Sequence, residues 1–245
     1  MPPRGRTKPR PPVQETVLMT HHWITLIALY LSAQGLAGAP LTTLTTRKQH
    51  LQHLARRIRL DPAQVTGQAL VEYAASQPWA RETARGRRST FRSFFTWTQE
   101  TGHTDENPAL ALARVKPGTP NPKPAPDRIY REALMKASPR EALMLRLAAE
   151  MGLRRGEVAA VHSADLFEDM VGWSLTVHGK GQKDRVVPCP PGIVTALQRL
   201  PHGYAFPGDD NGHLSPRWVG KLATGLLEGE WTMHKLRHRF ATMAY

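Results

Sequence analysis

The chain has 245 residues, 40% of them hydrophobic, and its 33 Lys+Arg against 20 Asp+Glu leave a net charge of +13. That is enough apolar side chain to bury a core, which excludes wholesale disorder, and enough length for one large domain or two modest ones. The lone Cys189 excludes a disulfide framework and a four-cysteine zinc site, and the most apolar stretch, Trp23 to Leu31, is well short of the roughly 20 residues of a membrane-spanning helix.

Residues 1–13 carry Pro2, Pro3, Pro9, Pro11 and Pro12 among basic side chains, which predicts a disordered basic arm. The arm lacks a signal-peptide cleavage site, so the expected location is cytoplasmic. Residues 14–112 read as helices. The first runs near 14–36 and ends between Gly35 and Pro40. The second follows the threonine-rich stretch 42–46, with Leu51, Leu54 and Ile58 at helical spacing. Asp61-Pro62 opens a turn, and Val65 to Ala75 is a third helix. A fourth runs from about Arg81 to Gly102, with Phe91, Phe94 and Thr98 on one face and Phe95 beside them. These aromatics are expected in the core. Arg85, Arg88 and Arg92 share another face and suit contact with phosphate.

Five prolines within residues 115–127 predict a semi-rigid linker between two domains, 14–114 and 128–245. The second domain opens with a helix near 128–136. Another runs from about Arg140 to Met151, with Met144, Leu147, Ala148 and Met151 on one face, and a short one from Arg155 to Val161. Trp173, Leu175 and Val177 alternate with Ser174, Thr176 and His178, which predicts a strand with one buried face. Gly179 to Asp184 is a turn, Arg185 to Pro188 a returning strand, and 191–199 a helix. In the tail from Met233 to Tyr245, Leu236, Phe240 and Met243 form a helical stripe expected to be buried. The expected fold is mainly α with a small antiparallel β-hairpin or sheet.

Three segments carry chemistry: Gly152-Leu153-Arg154-Arg155-Gly156-Glu157, the turn Gly179-Lys180-Gly181-Gln182-Lys183-Asp184-Arg185, and His234-Lys235-Leu236-Arg237-His238. Guanidinium groups, a lysine on a tight turn and a His/Arg pair at i, i+3 suit a phosphate. The glycine-lysine turn is not a nucleotide-binding P-loop, since no Ser or Thr follows the lysine. His234 and His238 could share a metal by spacing, but Lys235 stands where a helical zinc protease motif has Glu. With no tight carboxylate cluster either, no metal and no cofactor is expected.

In this order the three segments resemble the tyrosine recombinases of the phage integrase type. Gly152-Leu153-Arg154-x-x-Glu157 resembles the first catalytic-arginine box, and Gly179-Lys180-Gly181 with Lys183, Arg185 and Pro188 the catalytic-lysine hairpin. His234-x-Leu236-Arg237-His238, followed by Phe240-Ala241-Thr242, resembles the His-x-x-Arg box. Residues 86–112 resemble the exit of the family's helical, SAM-like core-binding domain. The resemblance implies an α+β catalytic domain that cuts and rejoins DNA at specific sites through a 3′-phosphotyrosine. It assigns catalysis to Arg154, Lys180, His234 and Arg237, with Lys180 as general acid. Glu157 and His238 are expected beside them in supporting roles, with Arg154 rather than Arg155 as the active arginine. DNA contact is expected from Arg85, Arg88, Arg92, Lys183 and Arg185. A clamp around duplex attachment sites, a homotetramer on DNA, an accessory directionality factor and a bacterial host cell follow from the same resemblance, and no membrane.

The family pattern continues past the His-x-x-Arg box to a second His or Trp and then the tyrosine nucleophile. Residues 1–245 hold neither element in that context. Tyr245 lies eight residues past Arg237, roughly 12 Å along one helix, which is a poor placement for attack on the phosphate Arg237 would hold. Tyr30, Tyr73, Tyr130 and Tyr204 all precede the box. The expectation is therefore a catalytic domain cut before its nucleophile. The alternative is a non-catalytic DNA-binding integrase remnant. A type IB topoisomerase shares the chemistry, but the small helical first domain and the linker argue against it.

Overall fold

A computed structural model describes residues 19–119, 123–170, 172–179 and 183–243. The chain divides into two compact units, residues 1–119 and 120–245. The arm at 1–13, Lys180 and Tyr245 lie outside the described residues.

In the first unit, α1 (His21–Leu36), α2 (Leu41–Ile58), α3 (Gly67–Ala75) and α4 (Arg81–Glu100) enclose an aromatic core. Thr20 is extended and its hydroxyl accepts from the Trp23 amide, so α1 is described from His21 rather than from residue 14. The threonines at 42–46 lie inside α2, where Thr45 and Thr46 hydroxyls donate to carbonyls one turn back. Phe91, Phe94, Phe95 and Thr98 of α4 are all buried. Phe94 stacks on Trp23 at 5.7 Å and meets Tyr30 edge-on at 5.4 Å. Polar tips on these buried rings find partners: Trp23 Nε1–H donates to the Leu60 carbonyl and the Tyr30 hydroxyl to Ser93.

The second unit is built round α6 (Pro139–Glu150), which follows α5 (Asp127–Lys136). Ser138 and Glu141 form a reciprocal capping box at its start, with Pro139 in its first turn. Leu143, Met144, Leu145, Leu147, Ala148 and Ala149 are all buried, so α6 is apolar nearly all round, as a central helix must be. After it come α7 (Arg155–Ala159), β1 (Leu166–Asp169), β2 (Gly172–Val177), β3 (Arg185–Pro188) and α8 (Pro191–Gln198). β4 (Pro207–Asp210), α9 (Pro216–Leu226) and α10 (Met233–Met243) complete the unit. The sheet is antiparallel in the order β1-β2-β3, with Leu175 opposite Leu166 on one side and Val187 on the other.

Three sequence expectations change here. Ser174 is buried rather than facing out, because its hydroxyl donates to the Asp169 carboxylate at 2.6 Å. The stripe on α10 is Met233 and Leu236, with Phe240 partly covered, while Met243 is 67% exposed. And β1, β4 and α9 have no counterpart in the sequence reading. Gly220 and Gly225 lower the helix propensity of α9, which Ser215 nevertheless starts by accepting from the Trp218 amide.

Candidate active site

The site begins where α6 ends. Gly152 takes a left-handed backbone, φ +66°, which turns the chain sharply enough for Arg154 to lie extended at the N-cap of α7. An added Cβ at Gly152 would fall 2.4 Å from Phe240 Cδ1, so the missing side chain also lets α10 close on this turn. The Gly152 carbonyl then accepts from Arg237 Nη1 of α10.

Glu157 is the centre of the cluster. Its side chain is only 5% exposed. Oε2 accepts from the Arg154 amide at 2.7 Å and Oε1 from Arg154 Nη1 at 2.7 Å. Arg185 on β3 donates through both ends of its fork, at 2.9 and 2.7 Å, and Arg237 Nη1 lies 3.7 Å from Oε2. Burial alone would raise the Glu157 pKa. Arg185, the Arg154 amide and the Arg154 guanidinium outweigh it and hold the carboxyl down to about 2. One carboxylate thus faces three guanidinium groups, so the cluster keeps an uncompensated positive charge.

That charge faces an open cleft. Arg154, Arg155, His234 and Arg237 line one cavity of about 610 Å³. Arg154 is 61% exposed and spends one of its five N–H donors on Glu157, so it presents most of the rest outward. Arg237 is 28% exposed and held on its inner side by Gly152. His234 and His238, one turn apart on α10, approach Nε2 to Nε2 at 3.0 Å. One of these nitrogens must carry the hydrogen and the other the lone pair, so the pair shares a single proton there. Burial, then His238, Arg237 and Arg154, lower the His234 pKa, which favours the neutral ring, the form able to take up a proton.

The other expected residues lie elsewhere or do something different. Arg185, expected on DNA, has its fork closed on Glu157 in this structure. Lys183 is exposed at the hairpin, where its carbonyl would stand 2.3 Å from any Cβ on Gly179. Arg85 pairs with Glu82, and Arg88 Nε–H donates to the Leu112 carbonyl at 2.9 Å, while Arg92 has no hydrogen-bond partner among the described residues. None of Tyr30, Tyr73, Tyr130 and Tyr204 lines the cleft; the first three hydroxyls pair with Ser93, His53 and Glu150. Among the described residues no three His, Cys, Asp or Glu side chains are grouped to hold a metal. Cys189 is buried, with its thiol pushed up to about 11 by burial. No helix among the described residues is long and apolar enough to cross a membrane.

The sequence reading misses the Arg185–Glu157 pair and the contact of Phe240 with Gly152. A signal for the first exists: an acid set among three arginine boxes has to be paired once it is buried. The second has none, because it depends on a fold that brings residues 152 and 240 together.

Comparisons with known proteins point to one family. Residues 127–245 match the family model described as the phage integrase family. The tyrosine recombinase XerC of Alcanivorax borkumensis is 30% identical over 251 aligned positions, covering 82% of this chain and 80% of the relative. The tyrosine recombinase XerD of Caulobacter vibrioides is 31% identical over 187 positions, covering 65% of this chain but only 61% of XerD. In fold, the chain is similar to a lambda integrase tetramer bound to a Holliday junction, at a TM-score of 0.71 and 18% identity, covering 94% of this chain and 74% of that one.

Proposed function

This chain belongs to the tyrosine recombinases of the phage integrase family, and we propose that it serves site-specific strand cleavage and rejoining of duplex DNA. The observation that carries the reading is the convergence of Arg154, His234 and Arg237 on one cleft around the buried Glu157. Arg154 and Arg237 hold the nonbridging oxygens of one phosphodiester, where negative charge grows as a fifth oxygen approaches phosphorus. Both are permanently charged and already oriented, so little reorganisation is needed at the moment of reaction. Glu157 positions them, and Arg185 on β3 ties the hairpin strand to the same carboxylate.

In the reaction a tyrosine hydroxyl attacks phosphorus, a 3′-phosphotyrosyl bond forms, and the bond to the 5′ oxygen breaks. That oxygen takes a proton, which the family resemblance assigns to Lys180. His234, neutral and bonded to His238, holds the phosphate and moves protons to and from the attacking oxygen. The attacking tyrosine is the one group here not assigned to a residue of 1–245; the other groups are this chain's own side chains, and the reaction needs no cofactor. Arg85, Arg88, Arg92 and Lys183 contact backbone phosphates of the duplex. The substrate is a duplex attachment site in the cytoplasm of a bacterial host, engaged by a homotetramer with an accessory factor setting direction. The DNA-bound tetramer of lambda integrase supports the tetramer alone, not the accessory factor.

The test is incubation of the protein, expressed from its whole reading frame, with a nicked duplex that releases a short 5′ fragment on cleavage. A detergent-stable protein–DNA adduct that is lost in R154Q and R237Q is expected. Duplex binding without any adduct would leave DNA binding alone, and an adduct formed by R154Q at the wild-type rate would refute the assignment of the site.

A further inference from the structure

The cleft contains a cation that the proposed chemistry does not use. Arg154 and Arg155 are neighbours in sequence but diverge: Arg154 turns to Glu157, whereas Arg155, the first residue of α7, runs alongside α9. Its side chain lies against Gly220. A Cβ at position 220 would fall 2.6 Å from Arg155 Cδ and 3.2 Å from Nη1. Arg155 is exposed and, among the described residues, has no hydrogen bond or ion pair, in contrast to Arg154, Arg185 and Arg237. Yet it lines the same cleft of about 610 Å³, and so do Gly220 and Thr232.

We propose that Arg155, laid over the bare backbone of Gly220, is a second anion subsite that takes the DNA phosphate next to the one held by Arg154 and Arg237. The proposal rests on the DNA-cleaving reading above. An arginine whose stem is held against a helix backbone loses less rotamer freedom on binding than a freely solvated one. Unpaired, it has all its donors to spend on a ligand. The cleft is a single cavity, and within it Arg155 lies against Gly220 of α9 while Arg154 and Arg237 gather at Glu157. Two roles are thereby divided: Arg154 and Arg237 act on the reacting phosphate, and Arg155 fixes the register of the strand through its neighbour.

Gly220 makes the proposal testable without changing charge. Gly220→Ala pushes Arg155 off α9 and leaves the net charge intact, whereas Arg155→Gln removes the cation. Arg199→Gln, at the end of α8 and away from the cleft, is the control for loss of one positive charge. The readout is the affinity for a duplex carrying the cleavage site, measured across a salt series. Each lost phosphate contact lowers the slope of log affinity against log salt by about 0.9. Arg155→Gln and Gly220→Ala are expected to lose that slope and to bind about tenfold more weakly at low salt, with far-ultraviolet circular dichroism unchanged. Arg199→Gln is expected to keep the wild-type slope. The subsite is overturned if Arg155→Gln behaves like Arg199→Gln, or if Gly220→Ala binds as the wild type does. A wild-type protein that ignores duplex DNA at every salt concentration overturns the DNA reading along with it, which separates the two failures.

Discussion

Gly152→Ala perturbs the hinge on which the site depends. The new Cβ falls 2.4 Å from Phe240 Cδ1 and 2.8 Å from Cε1, on a backbone at φ +66°. The left-handed backbone costs a residue with a Cβ about 1–2 kcal/mol. Relieving the overlap moves the Phe240 ring by about 1 Å, an overpacking cost of about 1–3 kcal/mol. Phe240 is only partly covered, so the ring can swing outward and the total should fall near the low end of the sum, about 2–3 kcal/mol. Because the chain has two units, one melting temperature would mix two transitions. Amide hydrogen exchange in peptides from α6 and α10 reports the local opening free energy instead. Faster exchange in both helices is expected, with weaker duplex binding because the Gly152 carbonyl no longer orients Arg237. Phe240→Ala in the Gly152→Ala background removes the overlap but not the backbone strain. The double mutant should therefore show a coupling of about 1–2 kcal/mol. Strictly additive effects, or unchanged exchange in Gly152→Ala, would refute the steric account.

Glu157→Gln should loosen Arg154 and Arg185 together and cost about 2–4 kcal/mol of local stability, seen as faster exchange around α7 and β3. With the Glu157 carboxyl held at about 2 against an ordinary 4.5, its stabilisation is complete above pH 4.5 and lost as pH falls toward 2. That window is worth about 3 kcal/mol in the wild type and should vanish in Glu157→Gln. His178 places Nε2 2.9 Å from Asp165 and Nδ1 3.0 Å from Asp184, an arrangement that favours the imidazolium and raises its pKa. Its contribution is therefore present below pH 6.5 and lost as pH rises through the raised value; a His178 ring titrating at or below 6.5 by nuclear magnetic resonance would contradict this. Ser138→Ala removes the capping box of α6 and should cost about 1 kcal/mol, read as faster exchange in that helix's first turn.

The elements with strong periodicity were legible in the sequence. Phe91, Phe94 and Thr98 announce α4 by spacing, and Met144, Leu147 and Ala148 announce α6. β1 was not legible, because Leu-Phe-Glu-Asp has no alternation and forms only by pairing with β2. α9 was hidden by its glycines, one of which makes room for Arg155. In the site, the residue types that suit a phosphate could be read from the boxes. The partner of each could not: Arg185 looked like a surface cation until the fold set Glu157 beneath it. Close contacts between distant segments, such as Gly152 with Phe240, are products of packing and leave no local mark.

The central claim is that Arg154 and Arg237 hold the same phosphate. It is tested most directly by replacing single phosphates of the duplex with uncharged methylphosphonates, position by position, and measuring binding by wild type, R154Q and R237Q. The account predicts one position where the methylphosphonate weakens wild-type binding about tenfold or more, yet weakens each variant much less, because the contact is already lost. Full additivity at every position, or coupling of the two arginines to different phosphates, would contradict it.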